Sequence, residues 1–119
     1  MPQTISYAFK VAFRGIGSFF RTERNGKIHL AISIFVVILS TLLKISATEW
    51  MFVLMSIAIV IVSEMLNTAV EKVCDLISKT DHPEIKMIKD ISAGAVLFAS
   101  IMSIFIGCII FLPKLFSLF

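Results

Sequence analysis

The chain has 119 residues, 58 % of them hydrophobic, with mean hydropathy +0.98 and a formal net charge of +3. That length allows a single domain over 1–119, and the apolar fraction exceeds the about 45–50 % of soluble domains, so lipid is the solvent for much of the chain. The basic excess comes with no aromatic-interleaved basic face, which argues against nucleic acid as a partner, and Cys74 and Cys108 lack the spacing of a zinc site or a disulfide framework.

Over residues 5–20, Ile5, Phe9, Ala12, Phe13, Ile16, Phe19 and Phe20 recur at helical spacing, with Ser6, Lys10, Arg14, Gly17 and Arg21 on the opposite face. The pattern predicts an amphipathic helix over about 4–24 lying in the membrane interface, its phenylalanines among acyl chains and its cations, Arg14 among them, at lipid headgroups. A soluble helix on a protein core is the alternative. Gly15 and Gly17 make no phosphate loop, because no strand precedes them and the spacing is wrong. Glu23 follows, flanked by Arg21 and Arg24, and Asn25-Gly26 predicts a bend.

Residues 28–43 form a first span close to the lower length limit for crossing, which Lys44 extends by snorkelling to about 28–45. The basic amphipathic stretch before it, and the lack of a small-residue cleavage pattern after it, mark it as a span rather than a cleaved leader. His29 stands at its edge, open to a role as ligand or base but read first as an interfacial hydrogen-bonding imidazole. Residues 45–49 predict the outer turn, with Trp50 as an interface anchor. A second helix runs over about 49–75, crossing hydrocarbon over about 50–71 and projecting beyond it. The polar connection of residues 79–84 ends it, and Pro83 suits the first turn of the next helix. The third span covers about 91–112, closed by Pro113 and Lys114. Ala93, Ser100, Ser103 and Gly107 form one small-residue stripe and Ser92, Ala95 and Ala99 another, which predicts this helix as the central packing element. The fold class is therefore all-α, an interfacial helix followed by three transmembrane helices.

The second helix carries the chemistry. At about 100° per residue from Glu64, Thr68 lies at about +40°, Asn67 at about −60°, Glu71 at about −20° and Asp75 at about +20°, so three carboxylates and an amide share one face. A charge at the centre of a span costs about 2.5–3.5 kcal/mol on insertion scales. Hydrogen-bonded stripes between helices are usually built from Ser, Thr or Asn, since neighbouring carboxylates repel unless a cation or a shared proton intervenes. A divalent-metal site with a separate general base fits the face better than a packing stripe or a solvated helix end.

Cation placement sets an orientation. Lys10, Arg14, Arg21, Arg24 and Lys27 precede the first span, and Lys72, Lys79, Lys86 and Lys89 lie between the second and third. The positive-inside rule then puts the N-terminus and the second connection in the cytoplasm and the C-terminus outside.

Residues 64–75 resemble the E-x-x-N-[TS]-[AVI]-[VI]-E-x-x-x-D signature of the small bacterial membrane kinases, the diacylglycerol kinase and undecaprenol kinase family. Residues 89–96 resemble its K-D-x-x-[AS]-[AG]-A-V signature, and Thr22-Glu23-Arg24-Asn25 followed by Ile28-His29 resembles a third. The resemblance implies ATP- and Mg²⁺-dependent phosphorylation of the primary hydroxyl of a neutral membrane lipid. It further implies a homotrimer in the bacterial cytoplasmic (inner) membrane, with sites shared between neighbouring chains. By the same resemblance Glu64 is the general base toward the lipid hydroxyl, Glu23 and Glu71 are the metal ligands, and Asn67 orients Glu64 or the transferred phosphoryl group. Lys89 holds the γ-phosphate, Asp75 and Asp90 support the nucleotide site, and Arg14 meets the lipid substrate. Thr80, Asp81 and His82 are available to adenine or ribose, or form an ordinary solvated loop. Residues 22–25 and the short tail look more like the undecaprenol kinase branch than the diacylglycerol kinase branch.

The residues fit that division. No G-x-x-x-x-G-K-[ST] loop is present, so carboxylate-held Mg²⁺ and single lysines must serve the phosphates. A non-enzymatic cation-binding or transport subunit is the alternative. It predicts polar groups continuing across the bilayer, where residues 50–62 and 95–112 offer only scattered serines.

Overall fold

A computed structural model describes residues 4–119 as four helices: α1 (Ile5–Thr22), α2 (Arg24–Leu42), α3 (Ala47–Ile77) and α4 (Pro83–Phe116). Thr4 starts α1 by accepting the Tyr7 N–H at 3.1 Å, which satisfies one of the free donors of the first turn. Phe9, Phe13 and Ile16 line an exposed apolar face of α1, the arrangement of a helix whose partner is the acyl boundary of a bilayer.

The corner between α1 and α2 is one residue wide. Glu23 alone leaves helical geometry, at φ −97° and ψ 125°, while its N–H donates to Phe19 O at 2.9 Å and its carbonyl accepts from Lys27 N at 3.2 Å. The bend therefore precedes Asn25-Gly26 instead of falling on it, and the first span's helix begins at Arg24. Gly26 has a different purpose. A Cβ there would stand 2.7 Å from Cε2 of the buried Phe19 ring, so the missing side chain is what lets α1 dock on α2.

α2 closes through Lys44 at φ 53°, with Ile45 N–H donating to Ser40 O at 3.3 Å. This left-handed residue is a common way to satisfy the last helix carbonyls. Ser46 then opens α3 with a reciprocal cap: Glu49 N–H donates to Ser46 Oγ at 3.2 Å and Ser46 N–H to Glu49 Oε1 at 2.9 Å. At 1.5 Å per residue α2 is about 28 Å long, enough for a hydrocarbon layer of about 30 Å, whereas α3 and α4 reach about 46 and 51 Å and must project beyond it. Together α2, α3 and α4 are three helices long and apolar enough to cross a membrane.

Two packing expectations change. α4 continues through Pro113 to Phe116, because a proline this near the helix end removes a single ladder bond, and Lys114 is held at 3.2 Å from Glu49 across the bundle end. The central element is α3, which packs on both α2 and α4, while α1 packs on α2. Only part of α4's small-residue surface is used within the chain: Ala99 is buried, but a Cβ on Gly94 would meet nothing within 4 Å.

The buried apolar cluster of Ile45, Val53 and Ile110, with Trp50, Ile106 and Phe111 around it, locks the end of the bundle that carries the α2–α3 turn. The radius of gyration is 17.7 Å, against about 13.5 Å for a compact globule of this length, and the extents of 54 × 40 × 21 Å describe a slab. Gly26→Ala crowds the Phe19 ring and should lower unfolding stability in detergent by about 1–3 kcal/mol. In a Phe19→Ala background the same change should cost almost nothing, which a thermal-denaturation double-mutant cycle reads directly.

Candidate active site at the acidic end of the bundle

The start of α2, the last turns of α3 and the start of α4 meet at the other end of the slab. Along α3, Glu64 lies about 21 Å from Trp50, Glu71 about 31 Å and Asp75 about 37 Å, so the acid face descends through one edge of the hydrocarbon. Burial follows the same gradient. Glu64 is 3 % exposed and Asn67 7 %, whereas Glu71 and Asp75 are exposed.

α2 supplies the partners of Glu64. Asn25 Nδ2 donates to Glu64 Oε1 at 3.1 Å, and His29 Nε2 stands 3.6 Å from Oε2. Asn25 and His29 are four residues apart, one above the other on the helix, so both face α3 together. One amide hydrogen bond is a sparse set of donors for a buried carboxylate, which can accept about four, and purely structural buried charges are normally paired more fully. Asn67 Nδ2 donates to Glu71 Oε1 at 3.2 Å, leaving Asn67 Oδ1 buried with no hydrogen-bond partner. Glu23 Oε2 lies 3.8 Å from Lys72 Nζ, which ties the α1–α2 corner to the last turns of α3.

Beyond the apolar depth the groups are ion-paired and wet. Lys89 Nζ on α4 reaches Asp75 Oδ1 on α3 at 2.7 Å, and this hydrogen bond holds the Asp75 carboxyl below the usual carboxylate range and the Lys89 ammonium above its usual range. Lys86 pairs with Asp90 one turn along α4 at 2.8 Å. In the connection, the Thr80 and Ser78 hydroxyls are 2.9 Å apart and His82 Nδ1 accepts the Glu84 N–H at 3.2 Å, so local turn and cap bonds engage both; Asp81 is exposed. Arg14 lies exposed on α1 and makes no ion pair among the described residues.

Among the described residues no three His, Cys, Asp or Glu side chains converge to hold a metal. Mg²⁺ does not need them: it binds through one or two carboxylates, with waters and phosphate oxygens completing its shell. Glu23 and Glu71 offer oxygen donors alone, the set a hard cation takes, and both lie at the wet end of the gradient. Next to the site an apolar groove of about 320 Å³ runs between α2, α3 and α4, from His29 past Ser33, Ser56, Ser100 and Ser103 to Phe111.

Thus the structure pairs Glu64 with Asn25 and His29, Asn67 with Glu71, Asp75 with Lys89, and Glu23 with Lys72. In the sequence Asn25 stands out only as part of a motif and of the expected Asn25-Gly26 bend, and Lys72 only as a loop-side charge. The four-residue spacing of Asn25 and His29 at the edge of a span was the signal that could have singled them out.

Residues 10–111 match the family model described as prokaryotic diacylglycerol kinase. The chain is 44 % identical over 108 residues to an undecaprenol kinase of Bacillus subtilis, covering 91 % of this chain and 88 % of that protein. It is 36 % identical over 112 residues to a diacylglycerol kinase of Synechocystis sp., covering 93 % of this chain and 64 % of that protein. These likenesses replace the cation-transport alternative with an enzymatic reading. With its three membrane-spanning helices and this match along most of its length, the chain belongs to the prokaryotic diacylglycerol kinase family, the membrane-embedded lipid kinases.

Proposed function

We propose that this kinase transfers the γ-phosphoryl group of Mg-ATP to the primary hydroxyl of a neutral membrane lipid, with undecaprenol favoured over diacylglycerol. The observation that carries the reading is Glu64, a carboxylate buried at hydrocarbon depth beside an apolar groove and aligned along one helix with acids that reach water. A base placed there meets a lipid hydroxyl, and the exposed end meets a nucleotide. The preference for undecaprenol is supported by the named relative that is both more similar and more fully covered.

In this reading Glu64 takes the hydroxyl proton through Oε2, since Oε1 is held by Asn25, while the lipid oxygen attacks the γ-phosphorus in line and ADP leaves. Asn67 steadies Glu71 through Nδ2 and, when that donor is released, orients Glu64 or the transferred phosphoryl group with it. Glu23 and Glu71 would hold Mg²⁺, which offsets charge on the phosphate oxygens when bound. Lys89 exchanges its exposed partner Asp75 for the γ-phosphate, and Asp75, Asp90, Thr80, Asp81 and His82 border the nucleotide. Arg14 contacts the lipid from the interfacial helix. The N-terminus and the α3–α4 connection face the cytoplasm, where ATP is, and the C-terminus faces outside.

The slab shape and the unfilled surface of α4 support a homotrimer whose sites draw on neighbouring chains. Mixing Glu23→Ala with Glu64→Ala protomers should restore part of the activity, and no recovery in well-mixed assemblies would argue for self-contained sites. Glu64→Gln should lower turnover by about 10²–10⁴-fold with Mg-ATP binding nearly intact by calorimetry. Glu71→Gln should instead weaken Mg-ATP binding and raise the Mg²⁺ concentration needed for half-maximal rate. Radiolabel transfer from ATP to undecaprenol, diacylglycerol and ceramide in defined micelles should label undecaprenol fastest, and label confined to diacylglycerol would reassign the substrate.

A further inference from the structure

A base that accepts one proton per turnover must also lose one before the next. If Glu64 is that base, its surroundings make the loss a problem, because only 4 % of its side chain is exposed. Water cannot reach it freely, and a carboxyl left protonated cannot take a second hydroxyl proton.

Two side chains touch the carboxylate from α2. Asn25 holds Oε1 through an amide that neither gains nor loses a proton near neutral pH. His29 faces the other oxygen, with Nε2 3.6 Å from Oε2 and a side chain 22 % exposed. No lysine, arginine or second histidine among the described residues comes within 4.0 Å of Glu64: Lys72 stands by Glu23 and Lys89 by Asp75. From α4, Ser100 and Ser103 line the groove that His29 borders, and the groove contains no charged residue. On its own helix Arg24 and Lys27 occupy exposed positions, and the Ser33 hydroxyl binds the His29 carbonyl at 2.7 Å. Imidazole is the one group in contact with Glu64 that can take a proton on one ring nitrogen and release one from the other.

We propose that His29 is the proton exit of the site, a relay that acts through Glu64 and rests on the base assignment made above. After phosphoryl transfer the carboxyl O–H bond at Oε2 breaks as an N–H bond forms at Nε2, which regenerates the carboxylate and leaves an imidazolium. The imidazolium then gives its Nδ1 proton to water, and the neutral ring returns to its starting tautomer by exchange with solvent. One proton enters from the lipid alcohol and one leaves, with no redox change. The 3.6 Å separation lies just outside hydrogen-bond range, so the transfer requires Nε2 and Oε2 to approach by roughly half an ångström.

The test uses the full chain in micelles with saturating lipid and Mg-ATP. His29→Gln keeps a hydrogen-bonding side chain of similar reach but cannot relay. Its kcat should fall about 10²-fold, while KM for both substrates and the calorimetric affinity for Mg-ATP stay near wild type. Free imidazole added to the buffer should raise the variant's kcat with concentration and leave wild type and Glu64→Gln unaffected. A histidine that served only to pack or orient Glu64 would give a loss that imidazole does not restore, and that result overturns the proposal. Wild-type kcat in His29→Gln overturns it as well, without touching the base assignment so long as Glu64→Gln is inactive. An active Glu64→Gln, by contrast, overturns the base assignment and the relay with it. If His29→Gln does not fold, His29→Asn is read by the same outcomes.

Discussion

Burying the Glu64 carboxylate at bilayer depth is the constraint around which this molecule is arranged. Such a charge costs about 2.5–3.5 kcal/mol on insertion scales, and a single helix in lipid has no means of offsetting it. The first span answers with Asn25 and His29 on one face, and that contact fixes α2 against α3 at the acidic end. The opposite end is fixed by different chemistry, the close packing of Ile45, Val53 and Ile110 together with the Lys114–Glu49 pair. Between these two clamps the helices separate enough to leave the apolar groove.

The division of labour follows from this layout. Packing and lipid contact hold the bundle together at the apolar end, where no catalytic group is placed. At the acidic end the ion pairs outside the hydrocarbon, Lys89 with Asp75 and Lys86 with Asp90, are exposed and hence weak contributors to stability. Weak pairs are easily exchanged. In the proposed mechanism Lys89 has to leave its resting partner Asp75 at small cost to meet phosphate, and a deeply buried pair would resist that. The one-residue corner at Glu23 serves the same end: Phe19 against Gly26 sets the direction of α1, and with it where the Glu23 carboxylate stands relative to Lys72.

A slab of three crossing helices with an interfacial fourth cannot wrap a nucleotide and a lipid from all sides. What it can do is present a graded face, from a buried carboxylate to wet acids and lysines, along one edge of the bilayer. That gradient suits a reaction between a substrate dissolved in lipid and one dissolved in water, which is the situation of a membrane lipid kinase.

Much of this was written in the sequence. Helical periodicity, the absence of charge over residues 50–63 and the position of Pro83 specify four helices and three spans, because each is a local property of the chain and of its solvent. The acid face of α3 is equally legible, since 3.6 residues per turn fixes which side chains share a side. Tertiary structure alone decided the rest. It put the corner at Glu23, where Phe19 needed the bare Gly26 beside it, and made α3 rather than α4 the central element, because packing depends on which neighbour arrives and not on which helix has room. It also brought Asn25, 39 residues away along the chain, and with it His29 to Glu64. Periodicity tells which residues share a face; only the packed neighbour tells what that face meets.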